Sequence, residues 1–270
     1  MADEVILITG ASSGIGAALA AEWGQRGAHL VLTARRRDRL DGVVAEVQSA
    51  GGTAIAVECD VTRDGDPEKA VAAAVSKWGR LDVVVANAGF GVSGVFESLT
   101  IEDYRRQFET NVFGLMRTVK AVLPEILKSR GRIALIGSVA GYVASAGTSA
   151  YAMSKFAVRG LAQALRCELC GRGVAVTHIA PGFVESEFRL KDAHGQLRPN
   201  AAENVPAWLI VPAQTAARAI VRAVMRRRRE AVITGHGKVL VLIARHFPRL
   251  LDLMLLRQPA WRERDLTQRA

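Results

Sequence analysis

Two residues of this chain are best suited to acid–base chemistry: Tyr151 and Lys155, four positions apart. On a helix that spacing puts them on one face, one above the other. An ammonium beside a phenol favours the phenolate, so the pair predicts a tyrosine pKa below its usual value of about 10. A phenol tuned toward neutrality gives or takes a proton at working pH. Tyr-x-x-x-Lys alone is common on helix surfaces and mostly structural there, so its weight depends on the rest of the chain. Ser138 stands at the end of an apolar run upstream of the pair, and Asn111 sits inside a helical pattern.

A second group of residues is suited to holding phosphates. Gly10-Ala11-Ser12-Ser13-Gly14-Ile15-Gly16 follows the apolar stretch 4–9 and opens a helical pattern that runs to about residue 26. Strand, glycine-rich turn and helix together aim backbone N–H groups and a helix N-terminus at a pyrophosphate. The bland alternative is an ordinary tight turn. The next apolar stretch, 28–33, ends in Ala34-Arg35-Arg36-Arg37. A site preferring NAD offers a carboxylate to the adenine ribose at that place. Arginine there suits a 2′-phosphate, so NADP is the expected cofactor.

The elements that must position these groups follow from hydrophobic periodicity. Strands are predicted at 4–9, 28–33, 53–58, 81–86, 132–137, 174–179 and 231–234, with helices between them at 101–128, 149–172 and 212–229, among others. Strands end in small or polar residues: Cys59-Asp60-Val61, Asn87-Ala88-Gly89, Gly137-Ser138 and Ala180-Pro181-Gly182. This alternation predicts an α/β fold: a doubly wound parallel sheet of about seven strands, helices on both faces and right-handed crossovers. Ligands of such sheets lie at the strands' C-terminal ends.

The chain has 270 residues, half of them hydrophobic and 23% charged, enough for one large core. A formal net charge of +10 suits a phosphorylated cofactor, nucleic acid or an anionic membrane. No nucleic-acid module is visible, and no metal site is expected. Three cysteines argue against a disulfide framework and for a reducing cytoplasm. Cys167 and Cys170 have redox or zinc spacing but lack a second ligand pair, and are read as structural. The apolar run 5–8 is too short for a signal-peptide core.

Taken together, Thr9-Gly10-Ala11-Ser12-Ser13-Gly14-Ile15-Gly16, Asp60-Val61, Asn87-Ala88-Gly89, Asn111, Ser138, Tyr151-x-x-x-Lys155 and Pro181-Gly182 resemble the short-chain dehydrogenase/reductase family, in its basic form of about 250 residues. The likeness spans residues 4–237. It implies a Rossmann-type domain in which Tyr151 is the general acid/base. Lys155 lowers the tyrosine pKa and holds the nicotinamide ribose, Ser138 binds the substrate oxygen, and Asn111 positions a relay water. It implies that Gly10, Ser12, Ser13, Gly14, Ile15 and Gly16 cradle the phosphates, and that Arg35 with Arg36 meets the 2′-phosphate. Asp60 and Val61 would contact the adenine, and Asn87, Ala88 and Gly89 the ribose. Pro181, Gly182, Val184 and Ser186 would flank the nicotinamide, with Ser186 standing where the family often has threonine. Hydride exchange between an alcohol and a carbonyl follows, with a homodimer or homotetramer built on helices 101–128 and 149–172. The alternatives are a non-catalytic dinucleotide sensor or scaffold, though such proteins typically lose the tyrosine or lysine, and a peripheral membrane protein acting through its C-terminal tail.

Residues 187–211 are expected to form a substrate lid, in which Phe183, Phe188, Leu190, Trp208, Leu209 and Ile210 either make an apolar cover that favours a lipophilic substrate or simply pack the lid down. Arg189, Lys191 and Arg198 leave an anionic substrate group conceivable. Tyr142 is open between pocket lining and packing. Residues 238–270 form an apolar, basic-flanked extension, too broken to span a membrane. It is suited to covering the site, packing on a subunit, or lying on an anionic membrane as a peripheral contact.

Overall fold

The computed structural model describes residues 3–186 and 205–257. Most of the expected lid, including Phe188, Arg189, Leu190, Lys191 and Arg198, and the chain beyond Arg257 lie outside the described residues.

Seven strands alternate with helices: β1 (Val5–Thr9), α1 (Gly14–Gly24), β2 (His29–Ala34), α2 (Arg37–Ser49), β3 (Thr53–Glu58), α3 (Asp66–Trp78), β4 (Val83–Ala86), α4 (Ile101–Phe108), α5 (Leu115–Lys128), β5 (Arg132–Ile136), α6 (Ser149–Leu169), β6 (Ala175–Ala180), α7 (Ala213–Met225), β7 (Glu230–Val232), α8 (Gly235–His246) and α9 (Pro248–Leu256). All strand pairs are parallel, in the order β3-β2-β1-β4-β5-β6-β7. This is the doubly wound α/β sheet that the periodicity predicts.

Period-two alternation explains the two cores. Ile6 and Ile8 face Leu19 and Trp23 of α1 and Ile220, Val221 and Val224 of α7. Val5 and Leu7 face the other way, into Val71 of α3, Val119, Val122 and Ile126 of α5 and Val158 of α6. Both faces are covered, so the strands read as continuous apolar runs. Each such side chain contributes about 1.5–3 kcal/mol when fully buried. Strand order reverses at β1, which lies between β2 and β4. A crevice therefore opens beyond the C-terminal ends of β1 and β4.

Three local readings change. The expected single helix 101–128 contains a π-helical segment, Glu109–Gly114, between α4 and α5. The last strand is shorter than expected, and Thr234 instead caps α8, accepting the Gly237 N–H at 3.2 Å. Helix α8 therefore begins at Gly235 and runs through the expected boundary at residue 237. It packs Val241 against Val139, Tyr142 and Ala180. The chain bends at Phe247, and Pro248 starts α9, where its missing N–H and fixed φ fit.

Candidate active site

The strand ends and the first turns of α1 and α6 border one cleft of about 1300 Å³. Ser138, Tyr151 and Lys155 line it together, as do Gly10, Ser12, Ser13, Gly14, Ile15, Arg35, Arg36, Asp60, Val61, Asn87, Ala88, Gly89, Pro181, Gly182, Val184 and Ser186. Gly16 and Asn111 sit behind its wall.

At the chemical end, β5 delivers Ser138 in extended conformation, and its Oγ accepts the Ala140 N–H at 3.0 Å. The Ser138 hydroxyl also hydrogen-bonds the Tyr151 phenol. Tyr151 and Lys155 stack along the first turns of α6, with Nζ 5.6 Å from the ring centroid. Lys155 is buried, and its Nζ donates to the Ile136 carbonyl at 3.0 Å. Here the expected tyrosine shift is reversed. Burial pushes the phenol up to about 12 and the ammonium down to about 8, because desolvation disfavours both charged forms. For Tyr151 it outweighs the Ser138 hydrogen bond, which pulls the other way.

Asn111 is almost fully buried in the π segment. Its Nδ2 donates to the Phe90 carbonyl at 2.9 Å and Ser154 Oγ at 3.2 Å, and its Oδ1 accepts the Phe90 N–H at 3.0 Å. Ser154 Oγ in turn donates to the Tyr151 carbonyl at 2.7 Å. Asn111 thus ties the loop after β4 to the helix carrying the tyrosine. Gln107, also fully buried, donates to the same Phe90 carbonyl at 2.8 Å and accepts the Val92 N–H at 2.6 Å. π segments recur at functional sites because the extra residue re-aims a side chain.

At the other end of the cleft the backbone itself is the surface. Gly10 and Gly14 have φ of +66° and +54°. A Cβ on Gly10 would come within 2.9 Å of the Ala88 Cα, and one on Gly16 within 2.3 Å of the Gly10 carbonyl oxygen. Ser13, the N-cap of α1, makes no capping bond through its side chain. The helix N-terminus therefore faces the cleft with its N–H groups uncovered by that hydroxyl, as a pyrophosphate requires. Arg35 and Arg36 precede α2, and Arg36 Nη2 donates to Ser12 Oγ at 3.2 Å and Ser13 Oγ at 3.3 Å. These residues fit a dinucleotide with a phosphate near Arg36. The Asp60 carboxylate accepts from Thr62 N and Oγ1, shaping the turn after β3. Asn87 Nδ2 donates to the carbonyls of Thr9 and Gly10, while Thr9 Oγ1 accepts the N–H groups of Asn87 and Ala88 at 3.0 Å. The Asn87 side chain therefore braces the glycine turn, and the backbone of Ala88 and Gly89 forms the wall.

The loop after β6 closes the third side. A Cβ on Gly182 would meet Thr234 Oγ1 at 2.3 Å and His236 Nε2 at 2.4 Å. The Phe183 N–H donates to His236 Nε2 at 3.1 Å, and the two rings stack at 5.1 Å. Val184 bridges to Val211, and Ser186 reaches across Gly14. Leu240 and Leu255, from α8 and α9, add apolar lining. Trp208 is 82% exposed, and Trp208, Leu209 and Ile210 do not line the cleft. Tyr142 packs instead: it is buried and its hydroxyl meets His178 Nδ1 at 3.1 Å. Cys167 and Cys170 are exposed thiols, and no metal-binding cluster occurs among the described residues. Gln107, Ser154 and His236 all shape the site without standing out in the sequence, because they meet partners distant in the chain.

Comparison with known proteins agrees with this geometry. A family model described as short chain dehydrogenase matches residues 4–196. The chain is 35% identical over 259 residues to an 11-beta-hydroxysteroid dehydrogenase 1A of Arabidopsis thaliana, covering 92% of this chain and 73% of that protein. It is 36% identical over 234 residues to an uncharacterized oxidoreductase of Myxococcus xanthus, covering 80% of this chain and 92% of that protein. Its fold matches, at a TM-score of 0.75 and 28% identity, an alcohol dehydrogenase of Thermococcus sibiricus complexed with 5-hydroxy-NADP, over 86% of this chain and 96% of the other. With a parallel seven-stranded sheet, a glycine turn at its switch point and a family match over most of its length, the chain belongs to the short-chain dehydrogenase/reductase family of oxidoreductases.

Proposed function

We propose that the protein is an NADP-dependent oxidoreductase that interconverts an alcohol and a carbonyl on a lipophilic substrate. The observation that carries this reading is the hydroxyl pair Ser138–Tyr151 beside buried Lys155, at one end of a cleft whose other end holds the glycine turn and Arg36. When bound, the nicotinamide supplies or accepts the hydride. The chain's own residues do the rest. Ser138 and Tyr151 hydrogen-bond the substrate oxygen, where alkoxide charge develops, and a preorganised pair of hydroxyls stabilises it. Tyr151 passes its phenolic proton to that oxygen in reduction and takes it back in oxidation. Lys155, as ammonium, holds the nicotinamide ribose and stabilises the phenolate left on Tyr151. Asn111 fixes the π segment against Phe90 and Ser154 and so keeps α6 in place behind the tyrosine.

NADP is favoured by Arg35 and Arg36 at the end of β2 and by the absence of an acid there. The 5-hydroxy-NADP in the Thermococcus relative supports the same choice. The apolar residues Phe183, Val143, Leu240 and Leu255 along the cleft favour a lipophilic substrate, as does the steroid named for the Arabidopsis relative. Assembly into a homodimer or homotetramer through the helices of 101–128 and 149–172 is part of the proposal, supported by the exposed Met153 and Phe156 of α6. Fluorescence titration with NADPH and NADH, followed by a panel of ketones and aldehydes, tests the reading. Selective NADPH binding that is lost in Arg35→Ala/Arg36→Ala, with turnover of an apolar carbonyl, supports it. Equal affinity for both cofactors overturns the NADP assignment, and binding without any turnover points to a sensor.

A further inference from the structure

Helices α8 and α9, with the bend between them, present several large apolar side chains outward. Val239, Leu242, Phe247, Leu250, Leu253 and Leu256 are all exposed, Leu256 to 80%. Within the two helices only Gly237, Val241 and Leu251 are buried. Leu250, Leu253 and Arg257 stand at helical spacing, so an apolar stripe on α9 ends in a cation. Soluble surfaces seldom carry so continuous an apolar patch without a partner.

Charge identifies the partner. From Gly235 to Arg257 the cations are Lys238, Arg245, Arg249 and Arg257, and the single carboxylate is Asp252. Arg245 is paired with Glu230, whereas no ion pair occupies Lys238, Arg249 or Arg257 among the described residues. A second copy docked on this face would set like charges against one another with little carboxylate to answer them. An anionic lipid surface answers them directly. Apolar side chains enter the boundary between headgroups and acyl chains while Lys and Arg meet the phosphates. No helix among the described residues is long and apolar enough to cross a membrane, so the contact is in the plane of the surface.

We propose that the outer face of α8–α9 is a docking surface for an anionic bilayer. The same two helices turn Leu240 and Leu255 toward the cleft, so docking sets the cleft beside the lipid. The proposal stands apart from the catalytic reading, because its test measures binding and not turnover.

The full chain is floated with phosphatidylcholine vesicles that contain or lack phosphatidylserine, at low and high salt. It is expected to bind the phosphatidylserine vesicles and to release as salt screens the charges. Leu253→Asp/Leu256→Asp should lose binding through the apolar half of the contact. Arg249→Gln/Arg257→Gln should weaken it roughly thirtyfold through the charged half. All four positions are exposed, so cofactor affinity and melting temperature should stay at wild-type values and report intact folding. Failure of the wild type to bind at low salt overturns the proposal. So does undiminished binding by both variants, which would assign the contact to the general positive charge. Self-association that Leu253→Asp/Leu256→Asp abolishes, without vesicle binding, would give the face to a second copy and overturn it as well.

Discussion

Tyr151 and Lys155 meet the site with opposite shifts, and this sets the pH behaviour. A phenol pushed up to about 12 stays protonated and ready to donate, while an ammonium pushed down to about 8 is charged only below that pH. Carbonyl reduction needs both, so kcat/KM for reduction should hold at lower pH and fall as pH rises through about 8. A profile flat to pH 10 would remove the lysine from that role. Tyr151→Phe deletes the proton donor and leaves the aromatic packing, so turnover should drop by about 10²–10⁴ with cofactor affinity nearly unchanged. Retention of most of the activity would show that another group moves the proton. That the two side chains share a helix face was legible from their spacing, though the spacing alone did not mark them as chemical. Their pKa directions were not, because desolvation is a sum over the whole fold.

At the scale of elements, the glycine turn joins sequence to fold most directly. Gly16 lies where a Cβ would meet the Gly10 carbonyl at 2.3 Å, whereas one on Gly42, within α2, meets nothing within 4 Å. Gly16→Ala should therefore force the turn apart, lower stability by about 1–3 kcal/mol and weaken dinucleotide binding. Gly42→Ala should be neutral or stabilise by up to about 1 kcal/mol through helix propensity. Thermal melts and a cofactor titration on both variants separate the two, and equal effects would refute the steric argument. The strands were legible as apolar runs because both sheet faces are covered. The π segment was not: Gln107 and Asn111 are held by the backbone of Phe90, and periodicity carries no trace of so distant a partner. The place of Arg35 and Arg36 after β2 was legible, but not the bonds of Arg36 to Ser12 and Ser13.

For the whole molecule, the C-terminal helices and the loop after β6 are one structure. His236, at the first turn of α8, accepts the Phe183 N–H, and Thr234 lies 3.1 Å from the same nitrogen. Burial holds the imidazole pKa below its ordinary value, so the neutral, accepting form prevails at neutral pH. The support is present above that ordinary value of about 6.5 and is lost as pH falls through the lowered pKa. His236→Ala should weaken cofactor binding about fivefold at neutral pH, the worth of one net hydrogen bond, and should flatten its acid dependence. Wild-type affinity and an unchanged acid limb in that variant would separate α8 from the loop. The extension's apolar, basic composition was legible in the sequence. Its grip on the Gly182–Phe183 backbone was not, because a lone histidine at a helix start gives no sign of the strand end it reaches.

The π segment also has a consequence for tolerance to length change. A segment that winds one residue more per turn than its flanks can lose a residue without breaking the helix: α4 and α5 would join as one uninterrupted α-helix. That splice would rotate everything on its N-terminal side by about 100° relative to α5. Gln107 would swing off the Phe90 carbonyl, and Tyr104 would leave its 2.6 Å contact with Ser149 at the head of α6. Between residues 109 and 114, then, this chain should accept many substitutions on its outer face but no deletion. Among relatives the spacing between the β4 loop and α5 should vary less than the residues that fill it.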